Sequence, residues 1–353
     1  MTKRLRILTN RAHCGHQYEL WKLPIDVSIV SGIGDRIESW MYDMRPFPEN
    51  AKYVKGEDVK AEDYDLIICH FDENALSPKH HTLDDSWGKA FRWLIDNFSR
   101  KIPTIAICHG VPQFEEQGKI EIETLEVTTY EDRRQKQVDY LSHIMVVCNS
   151  NVARENWRFK KTKTIWHGFD PSEFTLGSRT KGILAINENA LSQRPHYRGY
   201  YTHRDIMKYL PKEYTPSWTV VPKPEIDIIK QPQDYAFEKF KRYRNILGSY
   251  KVFLNTTIIS PMPRARGEAM MCGLVTVNYD SHDISSIIKN GVDGFISKDP
   301  EQMADILSFL MKFPDTALKI GLKSREKAIS VLNIDRYLED WKKTILEVSG
   351  YSI

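Results

Sequence analysis

Long apolar runs are missing from this sequence. No window approaches the roughly eighteen consecutive apolar residues that a membrane-spanning helix needs. The first residues, Met1 to Arg6, lead directly into a short apolar strand and contain no apolar core of signal-peptide length. We therefore expect a cytoplasmic protein without a transmembrane segment, and peripheral attachment to a membrane stays open.

Cysteine is scarce, and the short motifs of several enzyme classes are absent. The five cysteines are widely scattered and mostly lie in apolar runs, which indicates buried free thiols. Neither Cys-x-x-Cys nor His-Glu-x-x-His occurs, so the sequence has no zinc signature and we expect no metal. No Gly-x-Gly-x-x-Gly follows the first strand and no Gly-Lys-Ser/Thr loop is present, which argues against a nicotinamide enzyme and a P-loop enzyme.

The sequence also has no large excess of charge of one sign. The formal net charge is +3, from 50 basic and 47 acidic side chains. This mildly basic balance suits anionic ligands such as nucleotide diphosphates, but it does not require nucleic acid. A chain that is 41% hydrophobic and 27% charged is typical of a globular protein rather than a disordered one.

What the sequence does have is a regular alternation of strands and helices. With 353 residues the chain exceeds one ordinary hydrophobic core, so we expect two domains, 1–168 and 169–332. Short apolar runs alternate with helical periodicity in both halves, which predicts a doubly wound α/β fold with parallel sheets. The predicted strands are Leu5–Thr9, Val27–Val30, Leu66–Cys69, Thr104–Cys108, Ile144–Cys148, Lys163–Trp166, Gly182–Ile186, Thr219–Val221, Val252–Asn255, Thr276–Asn278 and Gly294–Ile296.

The stretch Val252–Ile296 is the most informative part of the chain. Its pattern predicts a strand, a polar loop, a helix that starts near Arg266, a stop at Cys272 and Gly273, and then a further strand, helix and strand. Glu268 is therefore expected at the start of a helix, below the carboxyl end of a parallel strand. Open parallel sheets bind nucleotides and sugars at that edge.

Two motifs in this stretch resemble the donor-sugar motif of retaining GT-B glycosyltransferases of the family 4 or "group 1" type. They are the run 268–273, Glu-Ala-Met-Met-Cys-Gly, and the run 290–294, Asn-Gly-Val-Asp-Gly. The junction 167–170, His-Gly-Phe-Asp, with Phe174 is similar to the family's interdomain phrase. The first half of the motif differs from the family's pattern, because Ser260 stands where the family has a first glutamate.

The resemblance implies a GT-B fold, in which two Rossmann-like doubly wound parallel-sheet domains face each other across a cleft. The segment 333–353 would be a helix that crosses back to the first domain, with Leu338 and Trp341 as its anchors. The implied reaction moves a sugar, such as a hexose, from a nucleotide-diphosphate sugar to a hydroxyl of a glycan, a lipid-linked glycan or a small molecule. The anomeric configuration would be retained, and neither a metal nor another cofactor is expected.

The resemblance places the nucleotide-sugar donor around Glu268. This carboxylate would accept hydrogen bonds from the ribose hydroxyls, a task that suits an ionised acceptor near a helix N-terminus. Gly267 and Ala269 flank it in the expected donor site. Ser260 is a catalytic candidate because it stands at the position of the family's first glutamate. It can offer only a neutral hydroxyl to the donor sugar, so the donor preference stays open.

Positive charge is expected at the diphosphate. Arg198 falls where the family has a lysine, in the segment 187–201 after the first strand of the second domain, and arginine adds bidentate geometry. Arg194 is the second candidate cation. Arg264 and Arg266 precede Glu268 and would add charge to the same site.

The first domain is expected to bind the acceptor and to present a histidine to the transferred sugar. His109 follows the apolar strand 102–108, at the position where the resemblance places that histidine. An imidazole there can donate to a sugar hydroxyl. The loop after the first strand contains Gly15, a match to acceptor-side glycines of the family, together with His13 and His16 as further candidates.

Two other functions stay open. Basic and aromatic residues alternate in 237–244 and 196–204, which is compatible with nucleic acid and with a glycosyltransferase that modifies hydroxylated DNA bases. Ser260 is compatible with a non-catalytic GT-B module that only binds nucleotide sugar. A GT-B-type epimerase is favoured less, since those enzymes use a different set of carboxylates.

Overall fold

The structure is a computed structural model that describes residues 4–34, 38–73, 75, 88–112, 130–224 and 231–353. The chain divides into two compact units. Unit 1 contains residues 1–41, 47–166 and 338–353, and unit 2 contains residues 42–46 and 167–337. The short segment 42–46 thus belongs to unit 2, which the sequence-based boundaries do not anticipate.

Unit 1 is built on one parallel sheet of seven strands. Its helices are α1 (Cys14–Leu20), α2 (Gly88–Phe98), α3 (Tyr130–Tyr140) and α4 (Asn151–Trp157). Its strands are β1 (Leu5–Asn10), β2 (Ile25–Ser31), β3 (Ala51–Lys55), β4 (Leu66–Phe71), β5 (Thr104–Cys108), β6 (Met145–Cys148) and β7 (Thr162–Thr164), in the order β3-β2-β1-β4-β5-β6-β7. Every residue of β4 and β5 is buried, as expected for central strands covered on both faces.

Unit 2 is built on a parallel sheet of five strands. They are β8 (Lys181–Ala185), β9 (Ser217–Trp218), β10 (Tyr250–Asn255), β11 (Val275–Tyr279) and β12 (Phe295–Ser297), in the order β12-β11-β10-β8-β9. The helices are α5 (Glu188–Gln193), α6 (Pro195–Arg198), α7 (Tyr200–Tyr209), α8 (Pro232–Ser249), α9 (Arg264–Met271), α10 (Ile284–Ile287), α11 (Pro300–Lys312) and α12 (Pro314–Val331). The last helix, α13 (Ile334–Ser349), begins in unit 2 and belongs to unit 1 from Leu338 onward. Val252, Val277 and Leu307 are completely buried in the core between the sheet, α7, α11 and α12.

The α/β fold class with two parallel sheets is confirmed, while several element boundaries differ from the prediction. Helix α9 begins at Arg264, so Glu268 lies in its second turn and not at its start. Strand β7 covers 162–164 rather than 163–166, and β9 covers 217–218 rather than 219–221. Strand β3 was not predicted, because its residues are half-buried or exposed and form no apolar run. The segment 187–201, expected to be a loop, contains α5 and α6.

The C-terminal helix α13 passes from unit 2 into unit 1. Its Trp341 is completely buried, with its ring centroid 6.5 Å from that of His16 in unit 1. Leu338, the other expected anchor, is half-buried. Of the helices within the described ranges, none is both long and apolar enough to cross a membrane.

All five cysteines are free and buried, as predicted. Burial raises the pKa of the Cys272 thiol to about 12 and also raises that of Cys69. Both thiols therefore stay protonated at neutral pH, which suits packing rather than nucleophilic chemistry.

His203 in α7 makes the stability of unit 2 depend on pH. Its ring is 4% exposed and lies 4.8 Å from the ring of Trp218, centroid to centroid. Burial lowers its pKa from 6.5 to about 4. As the pH falls below 6.5, the unfolded chain binds a proton that the folded chain does not bind, so stability is full above that pH and is lost towards pH 4.

We expect His203→Phe, which keeps an aromatic ring but does not titrate, to lose less stability on acidification. Between about pH 7 and about pH 4.5 the loss in unfolding free energy should be smaller than in the wild type by about 2 kcal/mol. Urea denaturation at the two pH values measures this difference. The exposed His196, replaced in the same way, is the control, and equal acid losses in the two variants would contradict the explanation.

Candidate functional site

The residues predicted to bind the donor lie on the segments that follow β8 and β10. Arg194 and Arg198 follow β8, whereas Ser260, Arg264 and Glu268 follow β10. These two strands are parallel neighbours in the sheet, with Leu254 paired to Ala185 at their carboxyl ends. Both segments therefore start from the same edge of the sheet, where open α/β sheets bind their ligands.

Hydrogen bonds tie the two segments to each other. The Tyr197 carbonyl accepts the backbone N–H groups of Ile258 at 3.2 Å and of Ile259 at 3.1 Å. The Thr256 hydroxyl donates to the Arg198 carbonyl at 3.2 Å. Gly199 has a φ of +71° and lies so close that a Cβ atom there would be 1.8 Å from the Thr256 carbonyl oxygen. Only glycine fits at this position, which fixes Arg198 beside the segment that follows β10.

Arg198 is a cation for which the described residues provide no counter-ion. Its Nε atom is buried and has no hydrogen-bond partner, and no carboxylate in the described part of the chain forms an ion pair with it. Burial and the positive charge of Arg194 both lower the pKa of Arg198. The Arg194 guanidinium lies 3.8 Å above the ring of Tyr197, and that of Arg198 lies 5.7 Å from the same ring. The two predicted cations thus share one aromatic support.

Arg266 is a second buried cation in this region. It is 3% exposed, and burial lowers its pKa to about 10, against the opposing effect of Asp283. It remains charged at neutral pH. His282, next to Asp283, has a left-handed backbone with a φ of +50° and makes a 2.8 Å hydrogen bond with the Ile259 carbonyl. The prediction did not include His282 or Asp283, since neither belongs to a matching motif.

Glu268 is buried and already paired. Its side chain is 4% exposed. One carboxylate oxygen, Oε1, lies 2.5 Å from Nη2 of Arg45 and 3.3 Å from Nη2 of Arg264. The other oxygen, Oε2, accepts a 2.6 Å hydrogen bond from the Tyr243 hydroxyl. The expected contact of Glu268 with ribose therefore stays a prediction, and it would have to compete with these internal partners.

The partners of Glu268 are themselves held by packing. The Arg45 guanidinium lies 4.2 Å above the ring of Phe240, and that of Arg264 lies 4.8 Å from the ring of Phe169. Burial and the neighbouring carboxylate raise the pKa of Tyr243 well above its usual value, so its hydroxyl keeps the proton that it donates. No sequence signal pointed to Arg45, which is 223 residues away from Glu268.

Gly267 and Ala269, the other predicted donor residues, face the interior of unit 2. A Cβ atom on Gly267 would lie 2.2 Å from the ring of Phe169, so this glycine lets the ring pack against α9. Ala269 is completely buried. Ser260 is half-buried on the segment between β10 and α9.

In unit 1 the predicted histidines lie together. His109 directly follows β5, with its ring 5.7 Å from the ring of His13 and 5.1 Å from that of His16. A further histidine that the prediction missed, His70, places its Nδ1 atom 2.9 Å from Nε2 of His109. A polar residue near the end of the apolar run in β4 was the only sequence signal for His70. Gly15 is buried within α1.

No protein-family model and no curated protein matches the chain, but several solved structures do. Anabaena Alr3699/HepE in complex with UDP and glucose is 13% identical with a TM-score of 0.64, over 98% of this chain and 100% of that one. Sucrose-phosphate synthase (tll1590) from Thermosynechococcus elongatus is 12% identical with a TM-score of 0.65, over 98% and 99% of the two chains. A glycosyltransferase from Rickettsia africae ESF-5 has a TM-score of 0.59 at 13% identity, over 98% and 99%.

The chain has the GT-B fold. This agrees with the fold class predicted from the motifs at 268–273 and 290–294. In this GT-B chain the five-stranded sheet of unit 2 supports the arginines and Glu268, and the seven-stranded sheet of unit 1 supports the histidines. Identities of 12–13% establish the common fold and do not establish a common substrate.

Removal of the Glu268 carboxylate should destabilise unit 2. In Glu268→Ala two buried arginines lose their counter-ion, and we expect the unfolding free energy to fall by about 3 to 5 kcal/mol. Urea denaturation followed by circular dichroism measures this loss. The double variant Arg45→Met/Glu268→Ala should lose less than the sum of the two single variants, because it also removes one of the positive charges that face the lost carboxylate.

Glu57→Ala is the matched control for this experiment. Glu57 forms a 3.5 Å ion pair with Lys55, but the two side chains are 75% and 70% exposed. An exposed pair of this kind contributes little to stability, so the control should unfold like the wild type. If Glu268→Ala were as stable as Glu57→Ala, the pairing of Glu268 would not hold unit 2 together.

Proposed function

We propose that this protein is a glycosyltransferase that moves a sugar from a nucleotide-diphosphate donor to an acceptor hydroxyl. The observation that carries the proposal is Arg198 at the carboxyl edge of the sheet in unit 2, a half-buried arginine whose Nε atom is buried and for which no described carboxylate is a counter-ion. A buried charge without a partner is costly, and a diphosphate group would supply the missing negative charge. The GT-B fold of the chain supports a sugar nucleotide as the source of that group.

Two further features at the same edge support diphosphate binding. Arg266 is charged, buried and located in the first turn of α9. No side chain caps the N-terminus of this helix, where the residue before it is Pro263. Backbone N–H groups and the helix dipole favour an anion at such a position. These groups can stabilise the leaving diphosphate as charge develops on it, so we expect no metal ion at the leaving group.

In the proposed complex the ribose hydroxyls bind Glu268. The described partners of the carboxylate are Arg45 and Arg264 on Oε1 and Tyr243 on Oε2. Since a carboxylate oxygen has two lone pairs, Oε2 can accept one more hydrogen bond. A second ribose hydroxyl would need Oε1, so donor binding is expected to displace Arg45 from its contact.

The proposed reaction retains the anomeric configuration of a hexose or a related sugar. Unit 2 would hold the donor and unit 1 would hold the acceptor. The leaving diphosphate would take the proton of the acceptor hydroxyl, and most of the rate acceleration would come from positioning and charge stabilisation. Anabaena HepE has been crystallised with UDP-glucose, which makes uridine diphosphate sugars the first donors to test.

The basic and aromatic face of α8 gives less support to a nucleic-acid acceptor. Lys239 and Tyr235 both contact the Asp43 carboxylate, and Lys241 lies 3.8 Å from Glu238. These charges are therefore partly balanced within the chain. A glycan, a lipid-linked glycan or a small molecule is the preferred acceptor.

The first test is a thermal-shift screen of the protein with UDP, GDP, ADP and their common sugar conjugates. A selective donor should raise the unfolding temperature by mass action, and the same radiolabelled donor should then be hydrolysed or transferred. Selective binding without any turnover would identify a non-catalytic module. If none of these ligands changes the unfolding temperature, the proposed donor site is wrong.

Arg198→Gln tests the observation that carries the proposal. Loss of a charge-assisted contact should weaken binding of the diphosphate by about 10- to 100-fold, as measured by calorimetry. The fold should not lose stability, because no carboxylate within the described ranges would lose an ion pair with this guanidinium. Arg204→Gln, at an exposed position in the same region, is the matched control and should bind like the wild type. Equal affinities of the two variants would exclude Arg198 from the site.

A further inference from the structure

Unit 1 brings three histidines together from distant parts of the chain. His16 lies in α1, which follows β1, while His70 lies near the end of β4 and His109 directly after β5. Strands β1, β4 and β5 are consecutive in the parallel sheet, so all three residues lie at its carboxyl edge. One ring nitrogen from each histidine lies within 4.8 Å of those of the other two.

We propose that His16, His70 and His109 bind a divalent transition-metal ion of the zinc class. Three imidazoles provide the nitrogen ligands that Zn²⁺, Co²⁺ and Ni²⁺ prefer, whereas Mg²⁺ and Ca²⁺ prefer oxygen. Three protein ligands leave at least one coordination position for water or for a group of a substrate. This inference does not rest on the proposed transfer reaction.

The burial of His70 and the missing hydrogen-bond partner of its Nε2 atom support a role as a metal ligand. Its side chain is completely buried, and its Nε2 atom has no hydrogen-bond partner among the described residues. A buried polar nitrogen without a partner is costly, and a bound metal ion would bring the His70 ring a partner.

The backbone positions of the ligands are fixed by the sheet. The Asn10 side chain accepts the His70 N–H at 2.9 Å and donates to the His70 carbonyl at 3.1 Å. On the other side, the Asn149 amide lies 3.4 Å from Nδ1 of His109. A partner on the second ring nitrogen is typical of metal-binding histidines, because it orients the ring.

The rings need only small rotations to share one ion. Nitrogens bound at about 2.0–2.1 Å in a tetrahedral site lie about 3.4 Å apart. Nδ1 of His70 and Nε2 of His109 are 2.9 Å apart, and the largest separation in the group is 4.8 Å. The separations would therefore change by about 0.5 Å for the first pair and by up to about 1.4 Å for the others. His109 is half-buried, and the half-buried ring of His13 is stacked on it.

The sequence-based expectation of no metal rested on the absence of local motifs and on the resemblance, which implies no metal. The three histidines do not form such a motif, because they are spread over three separate strand–loop connections. The group of potential ligand atoms within 4.8 Å of one another consists of the three histidines, so the proposed site has nitrogen ligands.

The test is a titration of the purified, chelator-treated protein with Co²⁺, after removal of any polyhistidine tag. We expect saturation at about one Co²⁺ per chain, with visible absorption bands of a nitrogen-ligated ion and no thiolate charge-transfer band. Zn²⁺ should displace Co²⁺ and raise the unfolding temperature of the wild type. No sugar nucleotide is present, so an inactive or different transferase would leave this result unchanged.

Variants separate this site from adventitious binding. His70→Asn and His16→Gln should each weaken Co²⁺ binding by more than about 100-fold, since loss of a ligand costs more than loss of an outer partner. His203→Gln, a change at a buried histidine of unit 2, is the control and should bind like the wild type. If His70→Asn does not fold, His16→Gln and the Zn²⁺-dependent stabilisation of the wild type still decide the matter. Absence of saturable binding, or binding that both variants retain, would overturn the proposal.

Discussion

The buried carboxylate of Glu268 is the constraint on which the organisation of unit 2 depends. A carboxylate that is 4% exposed can keep its charge only if donors surround it. Arg45, Arg264 and Tyr243 meet this requirement, and they come from the segment 42–46, from α9 and from α8. One charge thus joins three separate pieces of chain.

The packing around this charge follows from the same constraint. The guanidinium groups of Arg45 and Arg264 lie on the rings of Phe240 and Phe169, which shield them from water while leaving their N–H groups free to point at the carboxylate. Phe169 in turn occupies the space that Gly267 leaves on α9. The glycine next to Glu268 therefore has a structural reason within this chain, independent of any ligand.

The sequence was sufficient for the elements whose patterns are local. Strands such as β4 and β5 are apolar on both faces, and the alternation of such runs with helices predicted two parallel sheets. The run 268–273 led to the helix that contains Glu268. Strand β3 escaped prediction because its side chains are half-exposed. Arg45 and His70 escaped because their importance comes from contacts with residues far away in sequence, which no local pattern contains.

The structure distinguishes arginines that pair with an internal carboxylate from arginines that do not. The sequence analysis had assigned arginines of both kinds to the diphosphate. Arg264 was expected at the diphosphate, and its guanidinium lies 3.3 Å from Glu268 in an internal ion pair, so its contact with a diphosphate stays a prediction. Among the described residues Arg198 has no such carboxylate partner, although burial lowers its pKa. The cost of a desolvated cation without a partner is tolerated in a native protein only when something offsets it. At the carboxyl edge of a parallel sheet, an anionic ligand that binds to the folded chain is the direct way to offset that cost, because its binding energy adds to the stability of the folded state.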